Sequence, residues 1–62
     1  MKNIKKLRIE RNITRKTMAE KVGISETYIC YLENGKRNNP SAQIAIKISK
    51  MLDVSPQELF LD

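Results

Sequence analysis

Glu26, Thr27, Cys30 and Tyr31 bring a carboxylate, a hydroxyl, a thiol and a phenol into one short stretch. On a helical wheel with Glu26 at zero, Cys30, Thr27 and Tyr31 fall at about 40°, 100° and 140°, whereas Ile29 and Leu32 fall at about 300° and 240°. The polar four therefore share one face and the aliphatic pair occupies another. Glu26 only accepts hydrogen bonds, the Thr27 hydroxyl serves either sign, and its methyl offers apolar contact. On that spacing the four point outward, away from the aliphatic pair. Histidine is absent and Cys30 is the single cysteine, with no Cys or His partner for zinc or a disulfide. The commonest general base and metal ligand is missing, so no enzyme activity, cofactor or metal site is expected.

Cations flank that face. Arg15 and Lys16 precede it, and Lys36 and Arg37 follow it. Residues 1–50 hold all 12 Lys and Arg against four acids (Glu10, Glu20, Glu26, Glu33), a balance of +8; residues 51–62 hold three acids and no base, or −3. A basic region attracts polyanions through counterion release, and nucleic acid fits that charge pattern. Lys5, Lys6 and Lys21 read as general field charges. A chain of 62 residues is expected to be one domain, too small for a catalytic cleft on a large core. No signal peptide or membrane span is evident, and the lone cysteine suits a reducing cytoplasm.

The elements that must position these groups can be read from helix signals. From Thr14 to Gly35 the chain is TRKTMAEKVGISETYICYLENG. Thr14 and Ser25 are N-cap residues, and Gly23 and Gly35 can take the left-handed conformation of a sharp helix exit. Met18, Ala19, Val22, Ile24, Ile29 and Leu32 follow the spacing of two helices sharing a core. Helices are expected over 2–11 (ending near Asn12), 15–22, 26–33, 41–52 and 56–61. The last has Ser55 as N-cap, Pro56 at the first position and Glu58 as the Glu of a capping box. A polar loop, Asn34 to Pro40, joins the third and fourth. The fold class is all-α, with five compact helices.

The chain resembles the Cro and phage-repressor (XRE-type) helix-turn-helix proteins. The likeness rests on Ile4, Leu7 and Arg8; on Met18 through Ser25; on Leu32-Glu33-Asn34-Gly35-Lys36; on Asn39-Pro40-Ser41; and on Leu52-Asp53-Val54-Ser55. It implies a helix-turn-helix built from helices 2 and 3, with Glu26, Thr27, Cys30 and Tyr31 facing the major groove of double-stranded DNA. Glu26 could accept from a cytosine amino group, or stabilise its own helix N-terminus. Cys30 reads as a small spacer on that face or as a reader. Phosphate contacts fall to Arg15, Lys16, Asn34, Lys36 and Arg37; Tyr28, at about 200°, is either a further contact through its hydroxyl or a ring packed over the first helices. Arg8 and Glu33 are expected to form a partly buried ion pair. Two departures stand out: Arg15 replaces a common Gln, and Asp53 replaces a Gly after the fourth helix.

Helix 4 is apolar on more than one side. Ala42, Ala45, Ile46, Ser49 and Leu52 match the inward stripe that the resemblance implies, leaving Ile44, Ile48 and Met51 as a second stripe. With Leu59, Phe60 and Leu61 that surplus points to a homodimer contact, or else to a cover over a thin core. The expectation is a sequence-specific transcriptional regulator, a dimeric repressor on a palindromic site; an activator would bind DNA identically. The alternative is an antitoxin or other protein-interaction module that autoregulates through DNA binding.

Overall fold

The computed structural model describes residues 1–61. Its elements run α1 (Lys2–Glu10), α2 (Arg15–Val22), α3 (Glu26–Asn34), α4 (Ala42–Leu52) and a 3-10 helix at Pro56–Phe60, with no strand among the described residues. Three N-caps act through side chains: Thr14, Ser25 and Ser41 oxygens accept from the backbone N–H of Thr17, Tyr28 and Ile44 at 3.0, 3.0 and 3.2 Å. Each takes up a donor that the first helical turn leaves without a partner.

The helix exits share one device. Asn12, Gly23, Gly35 and Asp53 all have positive φ, 56°, 84°, 81° and 56°. After α1, Asn12 N–H donates to Ile9 O and Ile13 N–H to Arg8 O, both at 3.0 Å, the reciprocal pair that closes a helix through a left-handed residue. After α4, Asp53 N–H donates to Lys50 O and Val54 N–H to Ser49 O in the same pattern. Asp53 thus performs the turn for which glycine is the usual residue, because a short polar side chain tolerates this region better than most.

The expected fifth α-helix is a 3-10 helix. Glu58 N–H donates to Ser55 O at 3.0 Å and Leu61 N–H to Glu58 O at 3.3 Å, i→i+3 closures, and the Ser55 side chain makes no cap hydrogen bond. A segment this short gains too few i→i+4 bonds to offset helix nucleation, and the tighter winding is the usual outcome for such short pieces. It carries Leu59 into the core, where it is fully buried.

Ile4, Met18, Ile29, Leu32, Ile48, Leu52 and Leu59 form the centre of the core, ringed by Val22, Ala19, Ala45 and Met1. The phase of α4 differs from the expected one. Its buried residues are Ala45, Ile48, Ser49 and Leu52, while Ala42 and Ile46 are exposed. With Ala42 at zero the buried set, Ala45, Ile48, Ser49 and Leu52, centres near 290°, about 45° away from the stripe expected from the resemblance. Ser49 is tolerated inside because its hydroxyl donates to Ile46 O at 2.8 Å. Ile48 and Leu59 are therefore core residues, and neither is available to a dimer contact. No helix among the described residues is long and apolar enough to cross a membrane.

Candidate nucleic-acid interface

α3 is fixed by burial of Ile29, Leu32 and Glu33, which leaves its other side to solvent. Glu26, Thr27 and Asn34 are exposed, Tyr31 is 36 % exposed and Cys30 is half-buried. At the far end of that face the Asn34 amide donates to Cys30 Sγ at 3.2 Å, one turn back. The Lys36 ammonium lies 5.1 Å from the centre of the Tyr31 ring, within cation–π range. Sequence reasoning placed Lys36 with the backbone contacts and Tyr31 with the readers; the structure brings the two together. Tyr28 is half-buried and packs on the core. Lys16 and Arg37 stay exposed, at the start of α2 and in the loop after α3.

Behind this face sits a shared carboxylate. Arg8 Nε donates to Glu33 Oε2 and Arg15 Nε to Glu33 Oε1, each at 2.8 Å. The Glu33 side chain is fully buried, that of Arg8 is 10 % exposed and that of Arg15 36 %. Arg8 directs a second donor to the Ile13 carbonyl, from Nη1 at 2.8 Å. Glu33 thereby ties α3 to α1 through one arginine and to α2 through the other. The hydrogen bond that Arg15 donates to Glu33, and the charge of that carboxylate, raise the Arg15 pKa above the ordinary arginine value, against a smaller lowering by desolvation. Sequence reasoning paired Arg8 with Glu33 and assigned Arg15 to phosphate alone. The missed signal was the departure itself: a cation stands at the start of α2, where the resemblance leads to a neutral Gln, and the acid it meets is the partner already paired with Arg8.

Lys2, Lys5, Lys6 and Ile9 of α1 border an open groove against Glu33 and Asn34, so the positive side of α1 adjoins the end of α3. Ile44 and Met51 are half-buried, and Ile46, Phe60 and Leu61 are 43, 51 and 63 % exposed. These, without Ile48 and Leu59, are what is left of the apolar surface at the C-terminal end.

α2 and α3 are thus two capped helices joined through a left-handed turn, with a polar exposed face on the second of them. The family model described as helix-turn-helix matches residues 4–59, and the chain belongs to the XRE-type helix-turn-helix family. It is 38 % identical over 56 residues to the HTH-type transcriptional regulator SinR of Bacillus subtilis, covering 90 % of this chain and 50 % of SinR. The chain thus spans about half the length of the SinR relatives it matches. Among solved structures it is similar to the N-terminal DNA binding domain of SinR from Bacillus subtilis, with a TM-score of 0.83, 36 % identity and coverage of 95 % of this chain and 86 % of that one. It is also similar to the restriction-modification controller protein C.AhdI from Aeromonas hydrophila, with a TM-score of 0.81, 31 % identity and coverage of 94 % and 86 %.

Proposed function

We propose that the protein is a sequence-specific DNA-binding transcriptional regulator, a repressor that occludes a promoter as a dimer, with α2 and α3 as its helix-turn-helix. The observation that carries this reading is the exposed polar face of α3, with Glu26, Thr27, Cys30 and Tyr31, set between the cations of α2's start and those of the following loop. A helix of this width fits the major groove, where base edges differ in donor and acceptor pattern. Arg15, Lys16, Asn34, Lys36 and Arg37 hold the backbone, together with the Tyr28 hydroxyl, and set the register.

Pairing would use Ile44, Ile46, Met51, Phe60 and Leu61, the apolar side chains of the C-terminal end that are exposed or half-buried. Two copies on DNA place their α3 helices about 34 Å apart, one turn of duplex. The test is selection of bound sequences from a random duplex pool, with sedimentation of the free protein. The expected product is an inverted repeat with half-sites roughly ten base pairs apart. A pool that stays random would remove sequence-specific binding; a single asymmetric half-site with a monomer at high concentration would remove the dimer.

A further inference from the structure

Glu33 is the one buried carboxylate of the described residues, and both of its oxygens are engaged. Its two partners are not equivalent. Arg8 is enclosed, with Nε on Glu33 and Nη1 on Ile13 O. Arg15 gives Glu33 only its Nε and is more than a third exposed, so its two terminal nitrogens are left with no other side-chain partner among the described residues. One carboxylate between two guanidiniums leaves a net positive charge, and the exposed member is the one that displays it.

We propose that Glu33 is a positioning residue for DNA binding, gripping Arg15 by its Nε so that the terminal nitrogens are held ready for a backbone phosphate. The inference rests on the reading of Arg15 as a phosphate contact in the proposed function. Arginine is required by this arrangement. Its planar fork can donate sideways to a carboxylate and forwards to a phosphate at once, whereas a lysine ammonium is a single point that serves one or the other. A guanidinium already held loses less freedom when the phosphate arrives, which favours binding without any new contact. The same carboxylate joins α1 and α2 to α3, so the phosphate contact and the angle of the reading helix are set by one group.

The test compares Arg15→Lys, Arg15→Ala and Glu33→Gln in the 62-residue chain, each with thermal melting. Affinity for the selected duplex and for random duplex is titrated against salt, and the Arg15 Nε–H resonance is followed by NMR. Arg15→Ala should flatten the log–log salt slope by about 0.9. Arg15→Lys, which keeps the charge, should still bind about tenfold more weakly to every duplex, the loss expected for one charge-assisted hydrogen bond, with melting near wild type. The wild-type Nε–H should be resolved and protected without DNA, and Glu33→Gln should lose that signal. Should Glu33→Gln not fold, Arg15→Lys and the wild-type resonance decide. Wild-type affinity in Arg15→Lys beside a weak Arg15→Ala would overturn the positioning role and leave the phosphate contact standing, as would an unprotected Nε–H. Unchanged binding in Arg15→Ala would instead remove the contact, and the positioning with it.

Discussion

The junction of α1, α2 and α3 turns on a buried carboxylate held by two guanidiniums, whereas α4 and the 3-10 helix meet the rest of the molecule through Ala45, Ile48, Ser49, Leu52 and Leu59. The first contact is directional. Hydrogen bonds at 2.8 Å to both oxygens of Glu33 tie three helices together along fixed directions, beside the apolar contacts of Ile4, Met18, Ile29 and Leu32. The second is mostly apolar and set largely by volume, with one exposed hydrogen bond, from Asn3 Nδ2 to Glu58 O, between α1 and the 3-10 helix. The half that, in the proposed function, presents α3 to DNA is the half with the directional junction. Substitutions on either side put that contrast at risk.

The largest effect should come from Glu33→Ala. It strands the enclosed Arg8 charge, and loss of one partner from a fully buried pair is about 3–5 kcal/mol. Arg8→Ala should lose less, because Glu33 keeps Arg15. Arg15→Ala should lose least, since its side chain is partly solvated and water screens the pair. The Arg8→Ala/Glu33→Ala double variant should fall short of the summed losses in urea denaturation. Additive losses would mean that the junction is two independent charges and that the contrast between the halves does not exist.

On the apolar side, Ile48→Ala and Leu59→Ala should each lose about 2–5 kcal/mol, the range for emptying an aliphatic core position. Ile46→Ala and Phe60→Ala, at exposed positions, should stay within about 0.5 kcal/mol in the monomer. Glu at Phe60 or Leu61 should weaken self-association in sedimentation while leaving the melting curve of dilute protein in place. A core-sized loss at Phe60 would show that its ring is packed inside the monomer in solution, and the proposed pairing surface would lose its largest side chain.

A third contrast lies within the half proposed to read DNA. Arg37→Ala should weaken binding to all duplexes by a similar factor and leave base preference intact. Thr27→Ala and Tyr31→Ala should cost about 1–3 kcal/mol against the best site and little elsewhere. Lys36→Ala should do some of both, because its ammonium sits over the Tyr31 ring and its removal releases a proposed reader as well as a charge. Competition titrations with single-base variants of the site separate the cases. Undiminished discrimination after loss of Thr27, Tyr31 and Glu26 would take the reading role away from α3.

How much could be read in advance differs between the same two halves, and for a physical reason. Thr14, Ser25, Gly23 and Gly35 bound α2 and α3 because cap chemistry is local, and each helix there has one apolar stripe. The α2 limits agree with expectation, and α3 is longer by Asn34 alone. α4 has aliphatics on several sides, so its phase is decided by what it packs against rather than by its own pattern. That is how Ile48 and Ile46 exchange places between expectation and structure. Leu59 has the same origin, since only the tertiary fold shows that the chain turns inward there. Arg15 was legible as a cation at a helix start, but its bond to Glu33 joins residues on different helices, and no one-helix periodicity reports it.

The smallest effect bears most directly on local signals. Ser25 and Ser55 look alike in sequence: each precedes a helical segment, and Ser55 is followed by Pro56 and Glu58, the stronger set of start residues. Only Ser25 accepts a cap bond, from Tyr28 N–H at 3.0 Å; Ser55 makes none. Ser25→Ala should therefore lose about 1 kcal/mol, the usual worth of a cap side chain. Ser55→Ala should stay within about 0.5 kcal/mol, the range for a surface change that breaks no such feature. Paired denaturant curves with unchanged m-values resolve a difference of this size. Equal losses at the two serines would mean that the segment after Ser55 winds as a capped α-helix in solution, with the capping box expected from the sequence formed after all.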